Sequence, residues 1–221
     1  MKKILLIWVG VIVVLIVGGI VYGQLTKSNE PEGPEKTEIV YKDDNGNDVK
    51  EEVEKDQVNV TIAGQDYSYN AGVWKGKPIK IADITLEGPL YIDNILDAGF
   101  EEHKNSSFKL DDKHSVYIHY NTYYGHLFSL SAYVEPYNTV ASTSLNYCED
   151  IVLPANIKLG ESTKKYVESI YGVSHGYESQ RGDLVTVHYY GDSKKRGERL
   201  QLMYQRSTGI LIGFEWSFDV T

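Results

Sequence analysis

Few residues in this 221-residue chain combine the types and spacings that chemistry needs. The single cysteine, Cys148, lies in Asn146-Tyr147-Cys148-Glu149-Asp150. A nucleophilic thiol wants a base beside it and a lowered pKa, and two adjacent carboxylates act in the opposite sense. A small, half-buried strand residue is expected there. Six histidines (His103, His114, His119, His126, His175 and His188) form neither an HxH nor an HExxH pattern. His114 and His119 are five apart on an extended segment and point to opposite faces, so a zinc site would have to be assembled from separate strands. Glu101-Glu102 and Asp111-Asp112 read as solvated acid pairs, the serines lack a GxSxG elbow, and no glycine loop resembles a phosphate cradle. No catalytic, metal-binding or cofactor-binding residue is assigned. The chain is expected not to be an enzyme, an anchored or secreted hydrolase with a non-obvious site being the alternative.

What remains is a surface, and period-two alternation says which residues make it. It turns Val116, Ile118 and Tyr120 inward, with Phe128, Leu130, Ala132 and Val134. Val185, Val187, Tyr189, Leu200, Leu202 and Tyr204 follow, then Ile210, Ile212, Phe214 and Trp216. The opposite face carries Tyr117, His119, Tyr133, His188, Tyr190 and Met203 among serine, threonine and glutamine, with Glu135 at one end. Aromatic, nearly uncharged faces rich in donors resemble interface centres, so these six residues are the expected partner-binding set. A solvated sheet face with good cross-strand pairs is the competing account. The excess of tyrosine, 18 against 5 phenylalanines, suits half-exposed sheet faces.

Two helices must position these strands. Gly88-Pro89 opens the first, Ile92, Ile95 and Leu96 share its apolar face, and Gly99 stops it. Ser162 caps the second, Tyr166, Val167, Ile170 and Tyr171 form its buried face, and Gly172 ends it. An extended segment precedes each helix, at 78–84 and 151–159. Alternating strands follow each, at 115–120, 127–135 and 144–153, then at 184–190, 198–205 and 210–218. The expected fold class is α+β: two tandem helix-plus-antiparallel-strand units, about 78–140 and 150–221, forming a helix-on-sheet domain over 58–221.

The second unit runs Ile157-Lys158-Leu159-Gly160-Glu161-Ser162-Thr163, then Tyr166-Val167, Ile170 and Tyr171-Gly172, then Val185–Tyr189, Leu200–Tyr204 and Gly209–Ile212. This rhythm of leucine-glycine, capped helix, tyrosine-glycine and hairpin resembles the small extracytoplasmic modules of the β-lactamase-inhibitor-protein and SmpA/OmlA lipoprotein group. The resemblance covers residues 150 to 218 and extends to 78–140 by analogy. It implies a helical layer on an antiparallel sheet, used for protein binding or envelope assembly. The chain lacks the inhibitor proteins' cysteine pair in each unit, and no site residue carries over.

The N-terminal third reads differently. Ile4 to Tyr22 is nineteen residues without a charge, about 28 Å as a helix, and Lys2-Lys3 precede it. A transmembrane anchor over 1–25 is expected, with the N-terminus cytoplasmic and the domain extracytoplasmic on the cell membrane. A cleaved signal peptide is the alternative. Residues 27 to 57 hold eleven acids and five lysines, broken by Pro31, Gly33 and Pro34, and read as an acidic linker over 26–57. Within it, Asp43 to Asp48 has its glycine at the fourth position and not the sixth, so a hairpin turn between Thr37–Tyr41 and Val49–Val53 is expected there and not a calcium loop. A net charge of −9 argues against a nucleic-acid partner, and none is expected. The expected partners are the membrane, through the N-terminal helix, and a protein or cell-envelope component on the sheet face. A structural envelope-assembly subunit is a further alternative.

Overall fold

A computed structural model describes residues 33–87, 90–103, 106–134, 148–178, 182–195 and 197–218. Lys36 to Thr221 form one compact unit. Its first half contains β1 (Lys36–Lys42), β2 (Asp48–Glu54), β3 (Gln57–Ile62), β4 (Gln65–Asn70), a 3-10 turn (Ala71–Val73), β5 (Ile79–Ile81), β6 (Ile84–Leu86) and α1 (Ile92–Asp97). β7 (Glu101–Glu102), β8 (Ser107–Lys109), β9 (Ser115–Tyr120) and β10 (Leu127–Tyr133) complete that half. The second half contains β11 (Ile151–Leu153), β12 (Ile157–Lys158), α2 (Lys164–Tyr171), β13 (His175–Glu178), β14 (Leu184–Tyr190), β15 (Arg199–Gln205) and β16 (Leu211–Ser217).

The protein is mainly β, which corrects the α+β class expected from sequence. The described helices span six and eight residues, too short to form a helical layer. α1 begins at Ile92, where Tyr91 N–H donates to the Asn94 side chain, and Gly99 stops it at φ 93°. α2 begins after Thr163, whose hydroxyl accepts from Tyr166 N–H, while Ser162 turns back to accept from Lys158 N–H. Gly172 ends it at φ 94°.

What is duplicated is a β unit. The eight-stranded antiparallel sheet has the order β13-β14-β15-β16-β10-β9-β8-β7, two four-stranded meanders joined through β16 and β10. A four-stranded sheet, β12-β11-β5-β6, is joined through β11 and β5 in the same manner. The backbone repeats the scheme in detail. Ile92 N–H donates to Gly125 C=O and Leu127 N–H to Leu90 C=O; Lys164 donates to Gly209 and Leu211 to Ser162 in the second copy. Both copies carry a register shift just after the turn, between Leu127 and Ser129 on β10 and opposite Met203/Tyr204 on β16.

One face of the large sheet supplies the core. Ile118, Leu130, Val187, Tyr189, Leu200, Leu202, Phe214 and Trp216 join Trp74, Ile79, Ile81, Ile151, Leu153, Val167 and Tyr171 in a single cluster. Trp74 and Trp216 meet edge to face at 5.9 Å, a contact worth about 0.5–1.5 kcal/mol beyond its buried area. Several tyrosines belong to this core and not to half-exposed faces. Tyr171 and Tyr189 are enclosed, and their hydroxyls donate to Pro154 C=O at 2.7 Å and Gly172 C=O at 2.8 Å. An apolar body with a satisfied hydroxyl can be buried where a bare polar group could not.

The N-terminal expectations change as well. The hairpin expected around Asp43–Asp48 is present, β1 paired with β2 and the Asp43 carboxylate accepting from Asn45 and Asn47 N–H, but from residue 36 onward it is part of the fold and not an acidic linker. Val53 is buried, Ile39 and Tyr41 pack on the core, and Lys42 N–H donates to the Tyr166 hydroxyl at 2.8 Å. The domain therefore includes residues 36–57. Among the described residues no helix is long and apolar enough to cross a membrane. The run 4–22 lies outside those residues. The anchor, the membrane partner and the single-pass extracytoplasmic location rested on it and are withdrawn.

Candidate functional site

Cross-strand partners in an antiparallel sheet share a face, so the pairings lay out the outer side of the large sheet in three rows. The first runs Tyr177, Thr186, Met203, Gly213, Tyr133. The second runs His175, His188, Gln201, Glu215, Ser131, Tyr117. The third runs Tyr190, Arg199, Ser217, Ser129, His119. All six residues expected as a partner-binding set stand on this face, three on the β13–β15 side and three on β9 and β10.

The face differs from expectation in several respects, Ser131 and Thr186 being buried in it. Met203 is 5% exposed and packs into the sheet surface, offering little area. Phe128 and Ile212, expected inward, sit at the two register shifts. Phe128 comes within 5.3 Å of the His119 ring on the outer side, and Leu127 and Leu211 take the core places instead. An extra residue in one strand reverses the facing of everything beyond it. Ile210 is likewise only half-buried, and Glu135 lies outside the described residues. Finally, the face is not free of charge. Arg199 reaches Glu215 at 3.3 Å near its centre, both about a third exposed, and also approaches Ser217 Oγ at 3.4 Å.

His188 stands between Tyr177 and Tyr190, with ring centroids 5.3 and 6.3 Å away and near-parallel planes. Burial first, then the Arg199 and His175 charges, push its pKa down to about 4. The imidazole is therefore neutral at pH 7. Its Nδ1 and Arg199 Nε are buried without a hydrogen-bond partner. His175 Nδ1 lies 3.3 Å from the Tyr67 hydroxyl. Burial, then the Glu215 charge, raises the Tyr133 phenol, which stays a donor.

Sequence reasoning missed Tyr177, Arg199 and Glu215. Tyr177 lies on a four-residue strand with no alternation to mark it, and the ion pair forms only once β15 and β16 are in register.

The chemical candidates do not assemble. Cys148 is fully buried, and burial together with Asp111, Asp150 and Glu149 pushes its thiol up to about 12, the reverse of an activated nucleophile. His114, its bridge partner, is held by Asp111 at 2.8 Å with Asp150 3.7 Å away. Among the described residues no group of three or more histidines, cysteines and acids is placed to hold a metal ion. Comparisons with protein-family models, curated proteins and solved structures find no match to this chain.

Proposed function

We propose that the protein is a non-catalytic binding module whose partner is another protein, held on the outer face of the eight-stranded sheet. The observation that carries this reading is the Tyr177–His188–Tyr190 stack beside the Arg199–Glu215 pair. Tyr177 and Tyr190 each turn one ring face to His188, which fixes the rings while their edges and hydroxyls stay available. Rigid tyrosines around a central arginine match the composition of protein-interface hot spots.

The test uses Tyr177→Ala with Tyr190→Ala in the full chain. Partner capture, read by cross-linking and mass spectrometry against the native protein, should be lost. The melting temperature should fall by no more than about 6 °C, since Tyr177 is 48% exposed and Tyr190, which packs against the core, is half-buried and not enclosed in it. Unchanged capture removes the sheet face from the reading.

A further inference from the structure

The duplicated unit supplies an internal reference for a second surface. The turn between β9 and β10 and the turn between β15 and β16 are built alike. Gly125 N–H donates to Asn121 C=O and Asn121 N–H to His126 C=O; Gly209 donates to Gln205 and Gln205 to Ile210 in the other copy. Gly125 and Gly209 share the left-handed conformation, at φ 73° and 70°. Each turn is clipped to the start of its unit's helix, through the bridges Tyr91–His126 and Thr163–Ile210. The scaffold is one and the same, but its tips differ. The second turn carries Ser207 and Thr208, where the first carries Tyr123 and Tyr124.

Tyr123 and Tyr124 are 83% and 66% exposed. The turn closes without them, as the second copy demonstrates, so folding does not require aromatic rings here. Nor are they loosely held: the Asn121 side chain accepts from both of their N–H groups at 2.8 and 3.1 Å. Their rings stand perpendicular at 4.7 Å, Tyr124 meets His126 at 6.4 Å, and Tyr91 covers His126 at 4.5 Å. Charge differs between the copies in the same place. Residues 90–97 and 121–126 carry Asp93 and Asp97 and no lysine or arginine, whereas the equivalent stretches of the second copy carry Lys164, Lys165 and Arg206 against Glu168. Asp93 stands where the second copy has Lys165.

We propose that Tyr91, Tyr123, Tyr124 and His126 form a recognition tip for an arginine- or lysine-bearing segment of a partner polypeptide, separate from the sheet face. Electron-rich ring faces attract a cation, and the two aspartates of these stretches, with no lysine or arginine in them to compete, favour it further. A chain with net charge −9 draws such a segment in over longer range.

The probe is an acetylated, amidated Gly-Arg tetra-repeat peptide, with the same peptide carrying citrulline as the uncharged isostere, titrated into the full chain. The key variant is Tyr123→Ser with Tyr124→Thr, which copies the second turn. The arginine peptide should bind, the citrulline peptide at least tenfold more weakly, and the variant should lose at least tenfold while melting within about 2 °C of the native chain. Asp93→Lys should weaken binding as well. Tyr177→Ala with Tyr190→Ala should leave this affinity within about twofold, so the tip and the sheet face fail separately. No binding by the native chain, equal binding of the citrulline peptide, or equal affinity of the turn variant overturns the proposal. A large fall in the variant's melting temperature also overturns it, by showing that the tyrosines serve the fold.

Discussion

The Tyr133 ring occupies the space that a side chain at position 213 would need. A Cβ on Gly213 would lie 2.5 Å from Tyr133 Cδ1, and the two residues are paired across β10 and β16. An aromatic ring over a cross-strand glycine restores the surface that glycine lacks. Gly213→Ala should therefore destabilise the fold by about 1–3 kcal/mol. Combined with Tyr133→Ala it should cost clearly less than the two single changes together, because the clash is gone. Urea denaturation of the four proteins measures this coupling, and strict additivity would refute it.

The two helix-stop glycines should differ in sensitivity. Both have positive φ, so alanine is strained at either, by about 1 kcal/mol. At Gly172 a Cβ would also lie 2.8 Å from Tyr69 Cβ, whereas at Gly99 it would meet only the Leu110 side chain at 3.5 Å. Gly172→Ala should lower stability by at least about 1 kcal/mol more than Gly99→Ala. Equal losses in thermal melts would mean that Tyr69 gives way freely.

The β1–β2 hairpin should behave as part of the domain. Val53→Ala removes buried volume and should cost about 1–3 kcal/mol. Tyr166→Phe removes the acceptor of Lys42 N–H and should cost about 0.5–1.5 kcal/mol. A chain starting at residue 58 should unfold at markedly lower urea than one starting at residue 33. Coincident urea midpoints for the two chains would return the hairpin to the role of a spacer.

Stability should fall on acidification through a defined window. His188 has a folded-state pKa pushed down to about 4, below its ordinary value near 6.5. Between those values the unfolded chain binds the proton and the folded chain does not, so the His188 contribution to stability declines as pH drops from about 6.5 to 4 and is constant below, where the lowered carboxyls of Asp43, Asp44 and Asp111 add losses of their own. His188→Gln keeps a polar side chain of similar volume that cannot titrate, and its melting temperature should change less across that window. Parallel pH profiles for the two proteins would show that His188 is not enclosed as described.

Local chemistry in the sequence decided much of the strand interior. Leu200 and Leu202, Val187 and Tyr189, and Ile118 and Leu130 are all buried, as alternation requires, because successive side chains leave a strand on opposite sides. The positive φ of Gly99 and Gly172 was legible for an equally local reason, the absence of a Cβ. Tertiary structure decided the rest. The shifts at Phe128 and Ile212 depend on which partner strand is hydrogen-bonded and where, and nothing within either strand announces them. The charges at Arg199 and Glu215 meet only through the register of β15 with β16. In the acidic stretch the hairpin turn was legible, but net charge concealed that Ile39, Tyr41 and Val53 pack on the core, because that packing depends on a surface far away in sequence. The short helices gave way to a mainly β protein for the same reason: sheet pairing is non-local, and only the folded chain brings its two halves together.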